Sequence, residues 1–216
     1  MSFPSLLDLF LTALAVVPSL CIHEYAHGYV SYLLGDPTPK TDGRLSLNPL
    51  HHLDPIGTLF LIIFKFGWAK PVMVNPSYYE KPKQGMGLVA LAGPVSNFIM
   101  ALLCLLATTV IAKTSGGHVS EGMYYMYQFL SITAVVNTGL GVFNLIPLPP
   151  LDGSKVLGML LPDELYFKYM RFEQYGFILL FALLMLGSLN TPLYLMRAGV
   201  LDYLQFVADK LTLFLS

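Results

Sequence analysis

The sequence predicts an α-helical polytopic membrane protein, and three observations lead there. Of its 216 residues, 55% are apolar and only 12% charged, with a net charge of −1 and a mean hydropathy of +0.64. Soluble domains carry roughly twice that charge, so a soluble globular enzyme, a disordered chain and a nucleic-acid binder with a basic face are excluded. Four stretches come near the roughly 20 apolar residues that a bilayer span requires. The first of these stretches carries a polar cluster in its second half. About four core transmembrane helices are expected, with a re-entrant or hairpin loop between the first two. A C-terminal amphipathic or membrane-associated helix should follow.

The first span is Leu9 to Leu34, with a polar cluster in its second half. It lacks a basic leader, since Asp8 is the first charge, and is read as retained rather than cleaved. Residues 35–84 are rich in Pro and Gly and carry Lys40, Arg44, Lys65, Lys70, Lys81 and Lys83. Within them, Ile56 to Phe66 is apolar but too short to cross, which suits a re-entrant segment. The run from Trp68 to Pro76 reads as extended pieces punctuated by proline. The second span is Gly85 to Ala112, the third Met123 to Pro147, and the fourth Tyr175 to Leu189, which is short for a crossing. The charges Arg197, Asp202, Asp209 and Lys210 recur at near-helical spacing in the tail, predicting an interfacial helix over 191–216 beside a core over 1–190. Cys21 and Cys104 lie in apolar runs and offer no disulfide framework.

Lys and Arg concentrate in cytoplasmic loops. The loops after spans one and three hold the six residues above plus Lys155, Lys168 and Arg171, against Lys113, Arg197 and Lys210 on the other side. The first group is therefore expected in the cytoplasm.

The polar cluster reads His23-Glu24-Tyr25-Ala26-His27, an H-E-x-x-H pattern. On a helix its two histidines share one face and can hold one tetrahedral zinc, while the glutamate is turned to reach a water in the open position. A glutamate in mid-membrane costs several kcal/mol, which makes it a poor choice for a merely structural position. Interhelical hydrogen bonding is the plain alternative. A third ligand is needed, and the candidates are Asp152, Asp54, His51, His52 and His118. His118 follows span two and belongs on the wrong side. Asp54 and the His51-His52 pair are on the right side, in a loop close to span one. Asp152 follows the helix-breaking prolines Pro147, Pro149 and Pro150 at the end of span three, and that topology brings it to the level of His23 and His27.

H-E-x-x-H in one membrane helix and Asn144-Leu-Ile-Pro-Leu-Pro-Pro-Leu-Asp152-Gly153 in a later one resemble the site-2 protease family of intramembrane zinc metalloproteases. Gly93-Pro94-Val95-Ser96-Asn97, the segment from Asn48 to Gly57, and Lys70-Pro71-Val72 are similar to further parts of its small bacterial members, without an inserted PDZ or a following CBS domain. The resemblance implies one zinc ion per chain, bound by His23, His27 and Asp152, with Glu24 as catalytic base. It also implies that Asn144, and less directly Asn97, serves the substrate backbone or the oxyanion. Asn97 and Asn137 suit helix–helix hydrogen bonding equally well, and His52 and Asp54 receive no role. The implied substrate is a transmembrane protein in the lipid bilayer, cut in or near its membrane segment in regulated intramembrane proteolysis. The implied place is the bacterial inner membrane, with the site toward the cytoplasm. A zinc carrier or helix-capturing scaffold without proteolysis would need the histidines and Asp152 but not Glu24.

Overall fold

The computed structural model describes residues 6–52, 54, 57, 70–115 and 120–215. Apart from Gly57, the expected re-entrant piece Ile56 to Phe66 falls outside them, as does His118.

The described residues are helical, without strands. Helix α1 (Leu6–Leu33) is followed by a single turn at Thr38–Thr41 and a short 3-10 turn at Pro49–His51. Helix α2 (Pro82–Thr114) begins at a proline, which costs no hydrogen bond in a first turn. Helix α3 (Glu121–Asn144) starts on Ser120, whose hydroxyl accepts the N–H of Met123. It stops where the proline run begins. Helices α4 (Asp152–Leu160), α5 (Asp163–Met170), α6 (Glu173–Met185) and α7 (Asn190–Leu211) complete the order.

Helices α1, α2 and α3 are each long and apolar enough to cross a membrane. A fourth candidate crossing is the pair of helices α6 and α7 taken together, rather than Tyr175 to Leu189 alone. Helix α6 is only 13 residues long and meets α7 at an 89° bend. Gly187, in the left-handed region at φ 69°, ends the first helix. It is α7 that packs along α2 and α3, while α6 makes no comparably extensive helix contact among the described residues. The reason is visible in the core. Ala208 of α7 closes against Cys104 and Leu105 of α2 and Ala134 of α3, with Leu130, Leu201 and Leu204 around them. The outer faces carry large apolar side chains such as Phe10, Leu14, Ile99, Leu103 and Met126, as lipid contact demands.

Candidate metal centre

About one helical turn of α1 separates His23 from His27 and brings them to one face, and their rings meet edge to face with centroids 4.6 Å apart. Asp152 arrives as the first residue of α4, just past the prolines. His23 Nε2 lies 3.0 Å from His27 Nε2, and Asp152 Oδ2 lies 3.1 Å and 3.2 Å from the two nitrogens. Among the described residues this is the group of three that could hold a metal ion.

These distances can be tested against a metal. Zinc bonded tetrahedrally at about 2.0–2.1 Å sets neighbouring donors roughly 3.3–3.4 Å apart, close to the spacings found. The donor chemistry agrees. His27 Nδ1 lies 2.7 Å from Val89 O, and a carbonyl only accepts, so Nδ1 carries a proton and, in the neutral ring, Nε2 presents a lone pair. That lone pair faces a carboxylate oxygen and a second imidazole nitrogen. Acceptors gathered this closely call for a cation between them. Helix α2 forms one wall of the site. A Cβ at Gly93 would sit 2.5 Å from His27 Nε2 and 2.6 Å from His23 Nε2, so only glycine allows the helix so near.

Glu24 lines the same cavity of about 220 Å³, with Val72, Asn144, Pro150 and Lys155. Its Oε2 accepts the backbone N–H of Val72 at 3.0 Å. The extended stretch carrying Val72 is strapped down along its length. Lys70 N–H donates to His52 O at 2.8 Å. Arg44 reaches His51 O and Pro71 O. Asn75 N–H donates to Asp36 Oδ2 at 2.7 Å. Asp36 is fully buried and also accepts from Ser31 Oγ and Thr38 N–H. Burial opposes ionisation of this carboxyl, but the bonds from Thr38, Asn75 and Ser31 outweigh it and hold its pKa below the usual aspartate value.

The other residues singled out in the sequence separate clearly. Asn144 lines the cavity and donates from Nδ2 to Leu140 O at 3.1 Å. Asn97 lies behind His23 rather than in the cavity, fully buried, with Oδ1 2.6 Å from His23 Nδ1. Asn137 stands next to it, 2.8 Å away through Oδ1. His51, His52 and Asp54 stay in their loop. His51 Nδ1 meets Gly43 O and His52 Nε2 meets Ser46 O, while Asp54 accepts Gly57 N–H. Sequence reasoning missed the Val72 N–H and Lys155. A backbone donor leaves no side-chain signal, and Lys155 follows Asp152 by one helical turn, which was available to be read.

Two imidazoles from one helix turn and a distant carboxylate, with a second carboxylate turned toward the open side, form the donor arrangement of a metal-dependent hydrolase. Here it is carried on helices that cross a membrane. The profile of peptidase family M50 matches residues 110–187. YwhC of Bacillus subtilis is 40% identical over 177 residues, covering 81% of each chain. Rip2 of Mycolicibacterium smegmatis is 31% identical over 209 residues, covering 92% of this chain and 78% of that protein. Both bear the name "Putative zinc metalloprotease". The zinc metalloprotease MJ0392 of Methanocaldococcus jannaschii is 27% identical over 187 residues, 86% of this chain but 45% of that protein. No solved structure matches. The chain belongs to peptidase family M50, the site-2 protease family of membrane metalloproteases. Zinc is the metal its relatives' names carry, and the His23–His27–Asp152 group is where this chain can hold it.

Proposed function

We propose that the protein is an intramembrane zinc metalloprotease that hydrolyses peptide bonds in or near transmembrane segments of membrane-protein substrates. The observation that carries this reading is the meeting of His23, His27 and Asp152 with Glu24 beside them in one cavity. In it, His23, His27 and Asp152 hold one zinc ion and Glu24 is the catalytic base. Zinc held there supplies Lewis acidity and brings the pKa of a water toward about 7.

Glu24 releases the Val72 N–H, accepts the proton of the attacking water and delivers it to the leaving amine. Asn144, whose amide lines the cavity, serves as donor to the charge that develops on the scissile carbonyl oxygen. The substrate helix must unwind to offer its backbone, and the extended stretch at 70–75 gives it an edge to pair with. Residues 1–190 form the catalytic unit, and 191–216 add the helix that closes it from the side. The Lys/Arg bias supports a site on the cytoplasmic side of the membrane, and the family resemblance suggests a bacterial inner membrane. Release of a membrane-anchored protein by such a cut is regulated intramembrane proteolysis.

The test is cleavage of a single-span substrate by purified protein in proteoliposomes, with zinc content measured in parallel. Wild type should cut the substrate and carry one zinc. Glu24→Ala should keep the zinc and lose the cut. Undiminished cleavage by Glu24→Ala would remove this mechanism.

A further inference from the structure

Behind His23, away from the cavity, three polar side chains are sealed between α1, α2 and α3. Ser19, Asn97 and Asn137 are each 2% exposed or less. An asparagine amide can be turned either way in principle, so its oxygen and nitrogen must be fixed by their partners. Here backbone carbonyls fix them.

Asn137 Nδ2 lies 2.9 Å from Thr133 O. A carbonyl cannot donate, so that atom is the nitrogen and Asn137 Oδ1 faces Asn97. Asn97 Nδ2 lies 2.8 Å from Asn137 Oδ1 and 3.3 Å from Ser19 O. Both partners only accept, so Asn97 must present its oxygen to His23. The loop is completed at Ser19. Its hydroxyl donates to Ala15 O at 2.7 Å and so accepts the second Asn137 N–H at 2.8 Å. Every donor is used and none can be reversed without leaving a buried group unpaired.

We infer that Ser19, Asn137 and Asn97 form a hydrogen-bond relay of single polarity that holds the His23 proton on Nδ1 and keeps Nε2 free for the metal. The relay begins on the Ala15, Thr133 and Ser19 carbonyls and ends on the ring. His23 and His27 thus reach the same tautomer by different means, one through α2 backbone at Val89 and the other through side chains from three helices. Asn97 and Asn137 are positioning residues, and Asn137 touches no metal donor. The inference rests on the reading of His23 as a ligand, but its test needs no proteolysis.

The full chain is labelled with 15N-histidine, reconstituted without metal, and its ring nitrogens are assigned by NMR. The His23 proton should be found on Nδ1. Zinc affinity is then measured by competition with a chelator. Asn97→Leu should weaken binding about 10–100-fold, in the range found for partners that orient ligating histidines. Asn137→Leu should weaken it several-fold, and Ser19→Ala by less. Thr138→Val is the control, since Thr138 is buried on the same helix but bonds only Ala134 O; it should leave affinity unchanged. A His23 proton on Nε2 in the metal-free wild type overturns the relay, as does wild-type affinity in both asparagine variants. If Asn97→Leu does not fold, the wild-type NMR result and Ser19→Ala still decide. A chain that binds zinc through this relay yet cuts nothing would sink the proteolytic reading alone.

Discussion

Glu24 and His23 are neighbours in sequence, yet the helix turns them to different work. His23 faces inward to the donors, and Glu24 faces the cavity. Replacing Glu24 by Gln keeps the shape and one hydrogen-bond acceptor but removes the base. Cleavage should fall about 10²–10⁴-fold, with zinc content unchanged by metal analysis. Gly93 is the complementary case, a residue whose importance lies in what it lacks. Gly93→Ala forces a carbon against both imidazoles, at about 1–3 kcal/mol of overpacking, and should lower zinc affinity as well as thermal stability. Gly122→Ala meets nothing within 4 Å and should be neutral or stabilising by roughly 0.5–1 kcal/mol. Equal melting temperatures for the two variants would contradict this account. Helical spacing pairs His23 with His27 directly, whereas Asp152 stands out from the other candidate ligands through the resemblance of its proline-flanked segment to the family. The place of Asn97 was not legible in the sequence, because it depends on the register of α2 against α1, which no local pattern encodes.

At the scale of elements, the extended stretch at 70–75 matters most, and its anchor is Asp36. This carboxylate fastens the end of α1, the turn at Thr38–Thr41 and the stretch that caps Glu24. Its pKa is lowered in the folded chain. It therefore contributes stability above the ordinary aspartate value of about 3.9, and this contribution disappears as pH falls through the depressed folded value. Asp36→Asn should lower stability by about 1–3 kcal/mol at pH 7 and remove this part of the acid sensitivity. Melting curves at pH 7 and below pH 4 would check both. The sequence suggested an extended run here from its prolines. It carried no sign that Val72 would meet Glu24, since that contact is made by backbone.

Over the whole molecule, hydropathy favoured Tyr175 to Leu189 as the fourth crossing because it is free of charge. The helix that packs into the bundle is α7, whose Arg197, Asp202, Asp209 and Lys210 dilute its hydropathy while Ala208 fits the core; α6 and α7 are apolar enough for a crossing only as a bent pair. Packing chose the helix with the right small residue over the more apolar one. Two expectations follow. Ala208→Phe should overfill the contact with Cys104, Leu105 and Ala134 and destabilise by about 1–3 kcal/mol, read as a lower melting temperature in detergent. A reporter joined after Ser216 should face the side opposite a reporter placed at Lys81, since α7 runs alongside α2, from Thr109 near Gln205 to Lys113 at Thr212. Accessibility to an impermeant reagent in sealed vesicles would read this. Because Ala208 is translated after His23, His27 and Asp152, a ribosome paused near residue 190 has already delivered every metal donor, but not the wedge that holds their helices together. Competence should then arrive abruptly during synthesis, when the closing helix packs against the bundle, rather than growing as the chain lengthens.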